Sequence, residues 1–374
     1  MELLWKAKVD RERDTEHIVK SSADIASPNG TEPVSGKKNK APVFVLGCPR
    51  SGTTVLYHML LSAGDFAVYR AESNVFNLLV PRFRGMRSAA DRKELLEIWL
   101  RSKLFRVSGL DAREISDKIM AECRGEGDFL RIVMEEVARK QGAGRWADCT
   151  PDHLLYMREI KRQIPDALFI HIIRDGRDVA LSYVKQGWSY PLPWDRDERL
   201  GVAGLYWEWV VRKGREQGRS LGADYQEVRF EELIANPRQT LLRLGQFIEH
   251  DLDYDRIQRA GIGSVSQPNT SFADPSEETF NPVARWKTKM SREQMAAFEA
   301  LVGDFLQELG YTLDSESERG TSLRRARLRA SYFAMFEAKH WMRANTPLGR
   351  LVRLGRIGIE PETSTLPPQN SPRR

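Results

Sequence analysis

The amino-acid sequence predicts an α/β protein with a central, mostly parallel sheet. Three observations carry that prediction. Val43-Phe44-Val45-Leu46 and Leu168-Phe169-Ile170-His171-Ile172-Ile173 are short, nearly continuous apolar runs, as strands covered on both faces require. Stretches of helical periodicity lie between and after them. A glycine-containing turn follows the first run, where a strand passes into a helix.

Order begins at Pro42. Ser21 to Lys40 is rich in Ser, Pro, Gly, Asn and Lys with nothing periodic to bury, so residues 1–40 read as a flexible N-terminal arm. Val43 to Leu46 is the first strand, and helical character resumes from Val55 to Ser62. Glu72 to Lys140 reads as mostly helical, with Leu95, Trp99, Leu100 and Leu104 at helical spacing. Leu168 to Ile173 is the second strand, Arg177 to Lys185 the helix after it, and Tyr225 to Phe230 a third, weaker strand. Asn236-Pro237 opens a helix through Leu241, Leu244 and Ile248, with Asn as N-cap and Pro at N1. Ser291 caps another through Phe298, Leu301, Phe305 and Leu309, and Gly310 ends it. The chain has no internal repeat.

The 374 residues fit one large domain with insertions, or two smaller ones. No run approaches the roughly 18 apolar residues of a membrane span. Met1 to Asp14 carries Lys6, Lys8, Arg11 and Arg13 without the apolar core of a secretory signal. Cys48, Cys123 and Cys149 make neither a disulfide framework nor a zinc site. These features exclude a membrane-spanning protein, a disulfide scaffold and a cysteine-rich metal module, and favour a reducing, cytoplasmic location. The net charge of +6 is unevenly placed: residues 322–357 hold nine Lys+Arg against Glu337 alone, which leaves the rest slightly acidic.

The most informative segment is Gly47-Cys48-Pro49-Arg50-Ser51-Gly52-Thr53-Thr54, between the first strand and its helix. A glycine-rich turn there points backbone N–H groups at an anion, and the helix dipole assists. The spacing fits the nucleotide-binding pattern G-x-x-x-x-G-K-[ST], except that Thr53 stands at the lysine. The cation that reaches the terminal phosphates of ATP is therefore missing, and Arg50 supplies charge from another position. Arg174 closes the second strand, where open α/β sheets bind ligands. Ser182, eight residues on, reaches the same anion if its helix folds back beside the loop. Arg177 and Asp178 read instead as a solvated helix cap with local ion pairs.

These segments resemble the sulfotransferases that use 3′-phosphoadenosine 5′-phosphosulfate (PAPS). Pro49 to Thr54 matches the family's 5′-phosphosulfate loop, P-[RK]-[SG]-G-T-T, throughout. Arg174 and Ser182 match its 3′-phosphate signature, a strand-ending Arg followed eight residues later by a helical Ser. The resemblance covers about residues 42–313. Trp146-Ala147-Asp148-Cys149-Thr150-Pro151 and Pro165-Asp166-Ala167 are similar to W-x-[DE]-x-T-P and P-D-A elements of the bacterial and tyrosyl-protein branches. Val228-Arg229-Phe230-Glu231-Glu232-Leu233 is similar to R-[YF]-E-[DE]-L, and Arg285-Trp286-Lys287 to a late segment near the nucleotide. Phe230 departs from the usual tyrosine and loses its hydroxyl. Cys149 stands where some members have a lysine that helps to neutralise the transferring group; Lys287 is a candidate substitute.

The resemblance implies a P-loop-like, three-layer α/β/α fold with a central mostly parallel sheet and helical insertions, and a sulfotransferase domain over residues 41–314. It implies sulfuryl transfer from PAPS to a hydroxyl or amine, releasing 3′,5′-adenosine bisphosphate. Arg50, Ser51, Gly52, Thr53 and Thr54 would hold the 5′ end and Arg174 and Ser182 the 3′-phosphate, with Arg285, Trp286 and Lys287 close by. Such a transfer needs in-line positioning and stabilised charge on the leaving phosphate, which suits Arg50 and the loop N–H groups. No metal is expected. In one branch the base is a glutamate after the first helix, in a segment similar to Tyr69-Arg70-Ala71-Glu72-Ser73, which makes Glu72 the candidate base. His153 and His171 are the alternatives: His171 reads as a buried core residue, and His153 as facing either solvent or the cleft.

Other features stay open at this level. Trp188, Tyr190, Trp194, Tyr206, Trp207 and Trp209 line an acceptor pocket or belong to the core. Leu323, Ala326, Ala330, Phe333 and Trp341 fall near one helical face among arginines, so residues 315–374 read as a basic amphipathic extension with a disordered end. That helix lies on an anionic membrane surface through residues 322–357, or packs on the catalytic body or on a second subunit of a homodimer. Small-molecule, glycan, lipid and peptide acceptors are all compatible; nucleic acid is not expected. The rival functions are a kinase or NTPase with a degenerate loop, and a nonenzymatic membrane-binding adaptor.

Overall fold

Strand β1 (Val43–Leu46) runs between β2 (Ala147–Asp148) and β3 (Leu168–Ile173), and β4 (Tyr225–Arg229) lies beyond β3; every pairing is parallel. The structure is a computed structural model that describes residues 38–79, Pro81, Met86, and residues 88–262, 281–314 and 322–346. Residues 1–37 of the expected arm (1–40), and residues 315–321 and 347–374 of the expected extension, lie outside the described residues. Lys38–Lys40 form a 3-10 turn whose Lys38 carbonyl accepts from Arg145 at 2.7 Å, so they are not part of a flexible arm.

All residues of β1 and β3 are buried, which is why both read as unbroken apolar runs. Successive side chains alternate between two apolar layers. Phe44, Leu46, Phe169 and Ile173 face one; Val43, Val45, Leu168, Ile170 and Ile172 face the other. The second layer holds α1 (Thr53–Ser62) together with the later α9 (Phe230–Ala235), α10 (Pro237–Ile248) and α11 (Tyr254–Ala260). The first holds the helical insertion between α1 and β2: α2 (Ala89–Leu100), α3 (Lys103–Ser108), α4 (Ala112–Glu122) and α5 (Glu126–Gln141). It also receives α6 (Met157–Gln163), α7 (Gly176–Lys185), the long α8 (Arg199–Arg219) and α13 (Arg292–Glu308), which follows the short α12 (Trp286–Lys289). The three-layer α/β/α arrangement is as expected. Register gathers the strand ends: Leu46 pairs with His171 and Ile173 with Arg229, so the loops leaving β1, β3 and β4 emerge at one edge.

Several local readings change. The Glu72 segment is not helical; residues 72–74 have no regular structure and only Val75–Leu79 form a π-helical turn. Strand β2 has two residues, too few for a pattern. Phe230 starts α9 rather than ending β4. Asn236 does not cap α10 with its side chain: its N–H closes α9 onto the Glu232 carbonyl at 2.8 Å, and Pro237 alone marks the start. Ser291 does cap α13, in a reciprocal box with Gln294, and Gly310 ends it at φ 79°. All three cysteines are buried and free.

The C-terminal helix α14 (Leu323–Asn345) docks on the body, but not by the face its sequence advertises. Tyr332 and Phe336 are buried. The Tyr332 hydroxyl accepts from Leu192 N–H at 2.8 Å and donates to Asp195 at 3.2 Å. Arg329 pairs with the fully buried Glu208, and Glu337 accepts from Trp209 Nε1 at 3.0 Å and from Lys213 at 2.7 Å. Leu323 and Trp341, on the opposite side, are 89% and 59% exposed, and Ala326 and Ala330 are exposed with them. Buried partners on α8 select the docked face, and no local period reveals them.

Candidate active site

The loop after β1 is shaped by close approach. A Cβ on Gly47 would meet the Ile172 carbonyl at 2.5 Å, so the chain leaves β1 pressed against the end of β3. Arg50 (φ 74°) and Gly52 (φ 97°) both adopt left-handed backbone, which turns the loop into α1. At Gly52 only glycine fits, because a Cβ would lie 2.3 Å from the Phe230 ring. No side chain caps α1 from Gly52, so its first N–H groups face the loop. Ser51 and Thr53 are buried and Thr54 is exposed.

Arg50 Nε donates to Ser182 Oγ at 2.7 Å, bringing the two sequence motifs, 132 residues apart, into contact. Arg174 donates to the Arg50 carbonyl at 3.0 Å and to the Pro282 carbonyl, and lies 4.6 Å from the centre of the Phe230 ring. Its own carbonyl accepts from Trp207 Nε1 at 3.1 Å. Burial, then the neighbouring Arg174, pushes the Arg50 guanidinium below its usual range. Ser51 Oγ and Arg174 Nε are buried without a hydrogen-bond partner. Two crowded guanidiniums, an unpaired hydroxyl and an open helix N-terminus fit a polyphosphorylated anion.

Arg177 and Asp178 are not a solvated cap. Both are buried. Arg177 pairs with Asp175 at 2.8 Å and Glu299 at 2.7 Å, and stacks 3.7 Å from the centre of the Trp286 ring. Asp178 accepts from the N–H groups of Ala284 (2.9 Å) and Trp286 (3.1 Å); burial raises it to about 6 against the pull of Arg174. The pair thus fastens the late segment to the start of α7. Their long-range partners, which the sequence does not display, make the difference. Within Arg285-Trp286-Lys287, Trp286 is buried beneath Arg177, Arg285 is half-buried and Lys287 is exposed.

Glu72 is exposed, with Ala71 before it half-buried and Ser73 to Leu79 after it buried. Cys149, directly after Asp148 of β2, is buried in the apolar layer that also holds α1. Burial, then the nearby Asp148 and Glu72 carboxylates, holds that thiol well above its usual range. His153 faces neither solvent nor cleft: it is fully buried, bonded to Asp148 at 2.9 Å and to Phe76 N–H at 3.1 Å. His171 is the buried core residue expected, its Nδ1 2.7 Å from the Tyr225 hydroxyl. The aromatics separate too. Trp207 and Trp209 are core, while Trp188, Tyr190 and Trp194 are exposed on the loop after α7, with Trp188 6.0 Å from Arg50. Asp148 and Thr150 belong to a sequence motif that does not reveal their use; polar residues alternating about a short strand end were the available signal.

The chain is similar to several known proteins. A Caenorhabditis briggsae protein named "Putative protein-tyrosine sulfotransferase" is 25% identical over 216 residues, 57% of this chain and 66% of that relative, so the match spans just under two thirds of the relative's length. Among solved structures, the sulfotransferase domain of the Synechococcus PCC 7002 olefin synthase aligns at 17% identity and a TM-score of 0.46, covering 81% of this chain and 98% of that one. A mouse sulfotransferase complexed with PAP aligns at 13% identity and a TM-score of 0.40, covering 78% and 88%. The model of the sulfotransferase family matches residues 42–254, a stretch that holds the phosphate loop, Arg174 and Ser182. Since that match spans more than half of its residues, the chain belongs to the sulfotransferase family.

Proposed function

We propose that the protein transfers a sulfuryl group from PAPS to a hydroxyl or amine acceptor and releases 3′,5′-adenosine bisphosphate. The observation that carries this reading is the 2.7 Å contact of Arg50 with Ser182, which joins the loop suited to a 5′-phosphosulfate to the pair suited to a 3′-phosphate. In this reading the N–H groups of residues 51–54 and Arg50 take up the charge that grows on the leaving phosphate. Arg174 and Ser182 hold the 3′-phosphate, which ATP lacks. Glu72 accepts the acceptor's proton. The neutral Cys149 thiol adds no positive charge where some relatives have lysine, so Arg50 carries more of that task. Residues 41–314 form the sulfotransferase domain and residues 315–374 an extension.

Calorimetry tests the nucleotide half. The protein is expected to bind 3′,5′-adenosine bisphosphate without magnesium, and Arg174→Ala to weaken binding about 10- to 100-fold, the worth of a charge-assisted contact. Tight binding of magnesium ATP with none of the bisphosphate would reinstate the NTPase reading, for which Thr53 lacks the needed cation. Labelled PAPS offered with phenolic, sugar, lipid and tyrosine-peptide acceptors tests the transfer. The relative's name makes peptide tyrosine the first to try. Label transfer to any of them removes the adaptor reading.

A further inference from the structure

The turn that carries Glu72 has little regular structure, yet it is tied on two sides. On one, the Tyr57 hydroxyl of α1 donates to the Tyr69 carbonyl at 2.7 Å. On the other stands a polar cluster built on Asp148 at the end of β2, only 1% exposed. Asp148 accepts from Thr150 Oγ1 at 3.2 Å and from His153 Nδ1 at 2.9 Å. Thr150 Oγ1 in turn lies 3.3 Å from Ser73 Oγ and 3.4 Å from the N–H of Asn74. His153 Nε2 receives the N–H of Phe76 at 3.1 Å. An N–H can only donate, so Nε2 carries the lone pair and Nδ1 the proton; both ring nitrogens are committed. Asn74, in left-handed backbone at φ 53°, donates its side-chain amide to the Glu72 carbonyl at 2.9 Å.

These bonds land on residues 73, 74 and 76, immediately after Glu72. Between Asp148 and Thr150, Cys149 faces the other way, into the apolar layer that holds Ala147 and the α1 helix leaving the phosphate loop. Alternation along one short extended segment therefore sets the phosphate loop on one side and the Glu72 turn on the other. Burial alone would raise the Asp148 carboxyl; His153, then Ser73 and Thr150, hold it below the usual carboxylate range, so it stays ionised and keeps accepting.

We propose that Asp148, Thr150 and His153 are positioning residues that set the distance of the Glu72 carboxylate from the transferring group. This rests on the reading of Glu72 as the base. An ordered turn matters because displacing a reacting group by about 1 Å costs on the order of 100-fold in rate. The three residues act through the backbone of the turn and touch no reacting atom.

The test is a set of variants in the full chain, assayed with labelled PAPS and a tyrosine peptide, or whichever acceptor takes up label from PAPS. Thr150→Val keeps the shape and removes the hydroxyl. His153→Asn keeps a partner for Asp148 but withdraws the acceptor from Phe76, whereas His153→Gln retains an acceptor near Nε2. Thr150→Val and His153→Asn are expected to lower kcat about 10- to 100-fold, with KM for PAPS and bisphosphate affinity within about twofold, and His153→Gln to restore most of kcat. Placed in Glu72→Gln, the same substitutions are expected to cost less than about twofold, because what they position is gone. An equal loss in both backgrounds, or bisphosphate affinity falling in step with kcat, overturns the positioning role. Unchanged kcat in Glu72→Gln overturns the base reading instead, and no label transfer by the unaltered protein overturns both.

Discussion

The His171 ring lies inside β3, its Nδ1 bonded to the Tyr225 hydroxyl, which donates to Glu227 at 3.0 Å, while its Nε2 meets no partner. Burial lowers it to about 4, from 6.5 in an unfolded chain. The unfolded state therefore takes up the proton first, and stability that is complete above pH 6.5 is lost as pH falls toward 4. The limit of that loss is about 3 kcal/mol. Asp178 works in the opposite sense. Raised to about 6 from 3.8, it binds its proton more readily when folded, so its contribution grows as pH falls across that window. Urea unfolding at pH 7 and pH 4.5 is expected to show a net acid loss in the parent protein, and a much smaller loss or a gain in His171→Gln. Equal pH dependence in the two would mean that the ring titrates normally.

At the scale of elements, the phosphate loop depends on how closely β1, α1 and α9 meet. Gly52→Ala would force both a left-handed alanine and a collision with Phe230, whereas at Gly64 (φ 89°) an added Cβ meets nothing. Gly64→Ala is expected to cost about 1 kcal/mol and spare bisphosphate binding. Gly52→Ala should cost about 2–4 kcal/mol and abolish it, as melting and calorimetry together would show. The loop was legible in the sequence because its parts are contiguous: Pro49 to Thr54 follow one another, and Arg174 and Ser182 stand a fixed eight residues apart on a strand and its helix. Arg177, Asp178 and His153 were not, since each takes its meaning from a partner distant in the chain: Glu299, Ala284 and Phe76. Asn236 looked like a cap because composition names the residue type but not its backbone, which here belongs to the end of α9.

Across the whole molecule, the first half of α8 is the most enclosed stretch of helix surface, with residues 201–211 buried apart from the half-buried Tyr206. Trp207 reaches Arg174, Glu208 meets Arg212 at 2.7 Å and Arg329, and Trp209 reaches Glu337. Three consecutive helical residues cannot face one way, so the helix is covered by the sheet layer and by α14 together. Removing residues 315–374 would expose Trp209 and leave the buried Glu208 with one cation fewer. Thermal melting should then show a loss of at least about 2 kcal/mol. The outer face of α14, with Leu323, Arg327 and Trp341, is our proposed lipid-facing side. That reading predicts that the full chain co-sediments with phosphatidylserine vesicles and the shortened chain does not; equal sedimentation would remove it.

The three buried cysteines have a practical consequence. Cys48 sits in the phosphate loop, Cys123 just after α4 in the helical insertion, and Cys149 just after β2 in the layer that holds α1. Burial raises all three, Cys123 to about 11, so at neutral pH none is a ready nucleophile. A thiol alkylates only while its surroundings are open. The chain thus carries three native clocks, one for the nucleotide loop, one for the insertion and one for the end of β2. Peptide-resolved alkylation would tell which region breathes first, with no foreign label introduced.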